Sequence, residues 1–170
     1  MRKPEFWAAY LLLLVVQLLL SNFFVFTPYV MLSILPAMVL CIPTRVGTSG
    51  AMLIAFVSGL LVDFLSEGIL GLNALALVPV ALVRNGVIGL LFGGDLFARK
   101  EDFSIRKNGL PQVLLALLLA QALFLAVYVW ADAAGTRPFW FNAARFGASL
   151  GAGLLVSVPA LVAMASDTRK

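Results

Sequence analysis

Two carboxylates, Asp63 and Glu67, lie four residues apart in an otherwise apolar part of the chain. Such a pair is typical of acid–base catalysis when a nucleophile or a set of metal ligands lies nearby. The chain has no histidine and a single cysteine, Cys41, within an apolar run. Histidine bases, Ser-His-Asp triads, cysteine-rich metal centres and internal disulfides are therefore excluded. We predict a protein that is not an enzyme and that uses no cofactor or metal ion.

Two charged side chains still require a role. Asp63 closes an apolar segment, where it could cap a helix at the membrane interface, bind a cation or small ligand, or contact a partner protein. Arg84 lies deep in apolar sequence and is followed by Asn85 and Gly86. If the helix ends near Arg84, the side chain extends to the interface between the membrane and water. If the helix continues, the guanidinium needs a polar partner or a watery cavity.

The composition indicates an integral membrane protein. Of 170 residues, 62% are hydrophobic and 12% are charged, and the mean hydropathy is +1.05. A soluble domain is about half apolar and about a quarter charged. The net charge of +4 is typical of basic cytoplasmic loops, so we expect no nucleic-acid partner. The length fits one transmembrane domain over residues 1–170.

Six apolar segments approach the length of a membrane-spanning helix, which needs about 20 residues. They cover residues 6–20, 23 or 29–42, 46–65, 72 to as far as 97, 113–131 and 143–165. Pro36 lies inside the second segment and Pro43 ends it. We predict an all-α, polytopic membrane bundle of about six transmembrane helices.

Basic residues predict the orientation, because they concentrate in cytoplasmic loops. With a cytoplasmic N-terminus, the basic residues on that side are Arg2, Lys3, Arg45, Arg99, Lys100, Arg106, Lys107, Arg169 and Lys170. Only Arg137 and Arg145 lie towards the other side. Both termini are therefore expected in the cytoplasm. The polar stretch 99–108 either fixes this topology or binds a partner or anionic lipid heads.

Small residues recur at helical spacing in two of the segments. Gly89 and Gly93 form one GxxxG step, and Gly147 and Gly151 form another. Small side chains let helix backbones approach closely, either within one bundle or between two membrane proteins. The aromatic run 139–141 is interpreted as an interfacial belt or, alternatively, as the wall of a ligand pocket.

The segment 56–83 resembles MreD, a family of rod shape-determining membrane proteins of bacteria. The matching positions are Gly59 and Asp63, followed by the run Gly71-Leu72-Asn73-Ala74-Leu75-Ala76-Leu77. The chain length, the number of spans and the charged stretch 100–103 are also similar to that family. The Arg84-Asn85-Gly86 sequence is outside the matching pattern.

The resemblance implies a non-enzymatic scaffold of the cell-elongation machinery in the bacterial cytoplasmic (inner) membrane. The implied partners are an MreC-like protein, a RodA-like glycosyltransferase with its transpeptidase, and indirectly actin-like MreB filaments. The candidate partner-binding or signature positions are Gly59, Asp63, Glu67, Gly71, Leu72, Asn73 and Arg84.

A second hypothesis comes from a different class of protein. The MreD family resembles in fold the substrate-binding subunits of energy-coupling-factor vitamin transporters, which dock to an ATPase module. A subunit of that kind would use Asp63, Asn73 and Arg84 as ligand contacts. The proteins that copurify with the chain distinguish the two hypotheses.

Overall fold

The computed structural model describes residues 3–23, 30–67, 69–92, 109–134 and 136–165. These residues form helices joined by short connections, with no strand in the described ranges. The helices are α1 (Lys3–Phe23), α2 (Leu35–Cys41), α3 (Thr48–Val62), α4 (Leu72–Phe92), α5 (Leu110–Ala133) and α6 (Phe139–Ala165). A π-helical turn, Asp63–Glu67, continues α3 and is called the π turn below.

Five helices have the length and apolar composition needed to cross a membrane. They are α1, α3 with the π turn, α4, α5 and α6. Many of their leucines are exposed, among them Leu11, Leu53 and Leu90. In water such surfaces would be costly, whereas acyl chains solvate them. The prediction of a helical, multi-pass membrane protein is therefore confirmed.

The second predicted span is wrong as a membrane-length helix within the described residues. Residues 30–34 are not helical, and the following helix, α2, has only seven residues. Pro36 lies in the first turn of α2, where its missing N–H costs nothing. It therefore starts a helix, whereas the sequence prediction placed it inside a longer one. Pro43 follows the C-cap residue Ile42 and prevents continuation. The described residues thus contain five membrane-length helices, not six.

The short helix α2 is the centre of the bundle. All seven of its residues are buried, and it contacts α1, α3, α4, α5 and α6. The consecutive helices α3 and α4, α4 and α5, and α5 and α6 also pack against one another. α1 is joined to α3 by a hydrogen bond between the Tyr10 and Ser58 hydroxyls at 2.9 Å. The long helices therefore enclose the segment 30–42, in which only the residues of α2 are helical.

Candidate functional site

The carboxylate of Asp63 caps the start of α4 from the end of α3. Its Oδ1 accepts hydrogen bonds from the Asn73 backbone N–H and the Asn73 Nδ2, both at 2.9 Å. Its Oδ2 accepts from the N–H groups of Gly71 at 3.0 Å and Ala74 at 3.3 Å. The first N–H groups of a helix have no partner inside the helix and carry partial positive charge, so a carboxylate stabilises them.

This geometry bears on the roles that the sequence left open for Asp63. A carboxylate offers about four lone-pair positions, and here four N–H donors occupy them. The side chain is fully buried. The structure thus shows a cap between two helices and leaves little capacity for a cation or ligand. The side chain of Glu67, the second carboxylate, lies outside the described residues.

Gly59 permits the closest approach between α3 and α4. A Cβ atom at this position would lie 2.5 Å from the Ala74 nitrogen and 2.8 Å from the Asn73 carbonyl carbon. These neighbours are backbone atoms of α4, so they cannot turn away as a side chain would. Gly71 precedes α4 with a φ of +94°, in the left-handed region that glycine tolerates best.

The structure brings five of the predicted positions together in one hairpin. Gly59, Asp63, Gly71 and Asn73 meet as described, and Leu72, buried, begins α4. The Oδ1 atom of Asn73 is buried and has no hydrogen-bond partner within the described residues. We call this group of five residues the hairpin lock.

Replacing Gly59 by alanine is expected to lower stability clearly, because the added methyl group must push the α3 and α4 backbones apart. Overpacking of this kind costs about 1–3 kcal/mol. The matched control is Gly86→Ala on α4, where a Cβ meets nothing within 4 Å and helix propensity favours alanine. Thermal unfolding in detergent should show a lower Tm for the first variant and an unchanged or higher Tm for the second. Equal Tm values would show that the helices do not approach this closely.

Arg84 lies outside the hairpin lock and binds a different part of the bundle. It is 1% exposed, and α4 continues eight residues beyond it. Its Nε donates to the Leu40 carbonyl at 3.3 Å and its Nη2 donates to the Ile42 carbonyl. The guanidinium therefore binds the C-terminal carbonyls of α2, which carry partial negative charge. The side chain does not extend to the interface, and of the two alternatives the structure shows internal pairing.

The non-helical segment 30–34 is held by polar side chains of the surrounding helices. Gln17 of α1 donates to the Leu32 carbonyl at 3.2 Å and accepts from the Ile34 N–H at 2.8 Å. Both Gln121 of α5, at 3.3 Å, and Ser157 of α6, at 3.1 Å, donate to the Ser33 carbonyl. Backbone groups outside a helix are tolerated at membrane depth only when protein satisfies them.

Some of these contacts were beyond the sequence prediction. Gln17 and Gln121 bind the main chain of the buried segment rather than a side chain of another helix. Ser149, which accepts from the Met31 N–H at 2.9 Å, and Ser157 were not singled out. The sequence feature that could have indicated these contacts is the pair of prolines, Pro36 and Pro43. They bound a helix that is too short to satisfy the hydrogen-bonding groups of the backbone beside it.

The GxxxG glycines of α6 lie on its outer surface. Gly147 and Gly151 are exposed, and a Cβ at either would meet nothing within 4 Å. Gly153 instead faces inward, where a Cβ would lie 2.3 Å from Gln121 Nε2. In the other predicted step, Gly89 is half-buried and Gly93 lies outside the described residues. Gly147 and Gly151 therefore do not serve packing among the described helices.

The proposed ligand contacts of a transporter subunit do not converge. Asn73 and Arg84 are eleven residues apart on α4, which corresponds to about 16 Å along the helix. A cavity of about 220 Å³ lies between α2, α4 and α5, and Arg84 is the single polar residue among its lining. The described residues contain no cluster of three or more side chains suited to a metal ion.

Comparison with known proteins identifies no relative. No protein-family model, no curated protein and no solved structure matches the chain.

Proposed function

We propose that the chain is a non-enzymatic scaffold of the bacterial cell-elongation machinery in the cytoplasmic membrane, of the MreD type. In this role it links an MreC-like protein, and through it actin-like MreB filaments, to a RodA-like glycosyltransferase and its transpeptidase. The resemblance of residues 56–83 to that family motivates the proposal. The basic loops favour cytoplasmic termini, which requires an even number of crossings, so the buried segment 30–42 would cross the membrane beside the five membrane-length helices in this proposal.

The outer face of α6 is the observation that carries a scaffolding role. Ala144, Gly147, Ala148 and Gly151 are all exposed and form one small-residue stripe along the helix. A glycine that faces lipid contributes no packing and lowers helix propensity. Such a stripe is useful when another transmembrane helix lies against it, because the two backbones can then approach closely. The stripe is therefore the proposed contact with a partner helix.

The interior of the bundle also suits a scaffold. The buried side chains of Asp63, Arg84 and Gln17 all bind backbone groups of the same chain. Their hydrogen bonds connect the end of α3 with the start of α4, α4 with the end of α2, and α1 with the segment before α2. A surface that is already ordered before binding loses little conformational entropy when a partner docks. The hairpin lock then contributes to function by holding the surface rigid.

A double Gly147→Leu, Gly151→Leu variant tests the stripe. Two leucines would fill the groove and keep a partner helix away, so recovery of MreC-like and RodA-like proteins should fall at least about tenfold, the equivalent of 1.4 kcal/mol. The measurement is a mild-detergent pull-down of the tagged chain from its native membrane, with quantitative mass spectrometry. Because a Cβ at either position meets no atom within 4 Å, the variant should fold and insert normally.

Gly86→Leu is the control, since Gly86 is also an exposed helical glycine with open space around its Cβ position. Recovery of the partners by the α6 variant at the level of this control would count against the stripe as a contact. Recovery of an ATPase pair with a coupling membrane subunit would overturn the scaffold proposal itself.

The alternative function is a substrate-binding subunit of an energy-coupling-factor vitamin transporter. The cavity between α2, α4 and α5 is the observation in its favour. Sites for polar ligands usually combine apolar walls with several converging polar groups. The lining here, which includes Val80, Val83 and Leu119, supplies Arg84 alone, whose guanidinium binds the α2 carbonyls. We therefore favour the scaffold.

A further inference from the structure

A compact charged cluster lies where α5 turns into α6. Asp132, in the last turn of α5, forms ion pairs with Arg137 in the connection, at 3.1 Å, and with Arg145 in α6. Both arginines bind the same carboxylate oxygen, Oδ2. One carboxylate thus faces two guanidinium groups, and the cluster has a net charge of +1.

Arg137 is the accessible cation of this cluster. Its side chain is 41% exposed, whereas the side chains of Arg145 and Asp132 are 13% and 12% exposed. Its guanidinium lies over the Phe141 ring, 5.4 Å from the centroid, which orients the plane. A guanidinium has five N–H donors in a fork that matches a phosphate. The Asp132 contact engages Nη1, so further donors remain to bind an anion.

The first turn of α6 adds donors beside Arg137. The Pro138 carbonyl accepts from the N–H groups of Phe141 and Asn142 at 3.1 and 3.3 Å. The N–H groups of Phe139 and Trp140 therefore precede the first bonds of this helix. The positive end of a 27-residue helix lies next to the exposed guanidinium. Anions are stabilised at such positions.

Two buried polar atoms in the same two turns have no protein partner within the described residues. They are Oδ1 of Asn142, a side chain that is 95% buried, and Nε of Arg145. One is an acceptor and the other a donor. Buried polar groups are nearly always satisfied, so these two atoms indicate that the polar contacts of this part of α6 are incomplete within the described residues.

Aromatic side chains give the depth of the cluster in the bilayer. Trp130, Phe139 and Trp140 are exposed and form an edge-to-face chain, with ring centroids 6.4 and 6.1 Å apart. Exposed tryptophans of membrane proteins concentrate at the level of the lipid headgroups. This placement also favours the interfacial-belt interpretation of residues 139–141.

We propose that the turn between α5 and α6 binds the phosphodiester headgroup of an anionic glycerophospholipid. Arg137 and the first N–H groups of α6 bind the phosphate, and the net charge of the cluster complements the single negative charge of the phosphodiester. The surrounding rings pack against the glycerol backbone and the first methylene groups. The protein thereby has a fixed attachment to one lipid at the membrane surface.

Native mass spectrometry of the intact protein, reconstituted with phosphatidylglycerol or phosphatidylcholine, tests the site. We expect phosphatidylglycerol adducts on the wild type and about tenfold weaker binding for Arg137→Gln, because hydrogen bonds to charged groups are strong. Arg45→Gln is the matched control, since Arg45 is an exposed arginine in the connection between α2 and α3. It removes the same charge and should retain the adducts.

Three outcomes would overturn the proposal. Equal loss of adducts in both variants would show only an effect of net charge. Equal occupancy by phosphatidylcholine would show no preference for an anionic lipid. Displacement of the lipid by millimolar inorganic phosphate, with phosphate retained in its place, would assign the site to a soluble anion. Because Arg137→Gln leaves the pair between Asp132 and Arg145 intact, the variant should fold.

Discussion

Replacing Asp63 by alanine should destabilise the protein more than removal of any exposed charge. The change leaves three buried donors, the N–H groups of Asn73 and Ala74 and the Asn73 amide, without their acceptor. The partly buried Gly71 N–H loses its acceptor as well. Each buried donor left unsatisfied costs about 1–3 kcal/mol, so we expect a total loss of at least about 3 kcal/mol. Thermal unfolding in detergent and the yield of monodisperse protein measure the effect.

Asp63→Asn sharpens the test because it keeps the size of the side chain. Asparagine provides one acceptor oxygen and replaces the other with an NH₂ donor. Two of the four N–H groups would then face another donor, so this variant should also be clearly destabilised. Ser66→Ala is the local control. The Ser66 hydroxyl donates to the Val62 carbonyl at 2.7 Å within the same turn, and its loss should cost little.

The outcome decides between two roles for the carboxylate. If Asp63→Ala unfolds at the temperature of the Ser66→Ala control, the cap contributes nothing and a direct contact with a partner becomes the better explanation. If the variant is destabilised, any loss of the proposed scaffold function in cells must first be corrected for the amount of folded protein. If that function is the proposed one, rod shape maintained at normal protein levels would exclude an essential role for Asp63.

The membrane helices were predictable because the sequence feature that indicates them is the length of an apolar run. A run of about 20 apolar residues has few alternatives to a transmembrane helix, since backbone groups in lipid must be satisfied internally. The helices α1, α3, α4, α5 and α6 follow from this argument. Segment 30–42 does not, because its backbone groups bind side chains up to 124 residues away. Hydropathy contains no information on such partners.

The candidate site was predictable in its residues and not in its geometry. Gly59 and Asp63 were identified through a resemblance, but their physical role required the position of α4 relative to α3. The glycines of α6 show the same limit. Gly151 and Gly153 are two residues apart and face opposite ways, one towards open space and the other towards Gln121. Spacing alone cannot tell an internal contact from an outer surface.

Gln17→Leu is the second change with a large expected effect, and its size tests how segment 30–34 is held. An ordinary side-chain hydrogen bond between membrane helices contributes about 0.6 kcal/mol. Gln17 instead satisfies the buried Ile34 N–H and the partly buried Leu32 carbonyl, and leucine would leave both without this partner. Two such orphans cost about 2–6 kcal/mol together, so the two explanations differ several-fold in expected effect.

Cys41 makes the consequence of Gln17→Leu directly measurable. It is the single cysteine of the chain and is buried as the last residue of α2, the helix that follows the segment that Gln17 holds. Loosening by about 3 kcal/mol should accelerate maleimide labelling of this thiol on the order of a hundredfold. Gln112→Leu is the control, because Gln112 is exposed in the first turn of α5. Similar labelling rates in the two variants would show that segment 30–34 is held by apolar packing. A large difference would establish that a single polar side chain of α1 stabilises the non-helical centre of a membrane bundle.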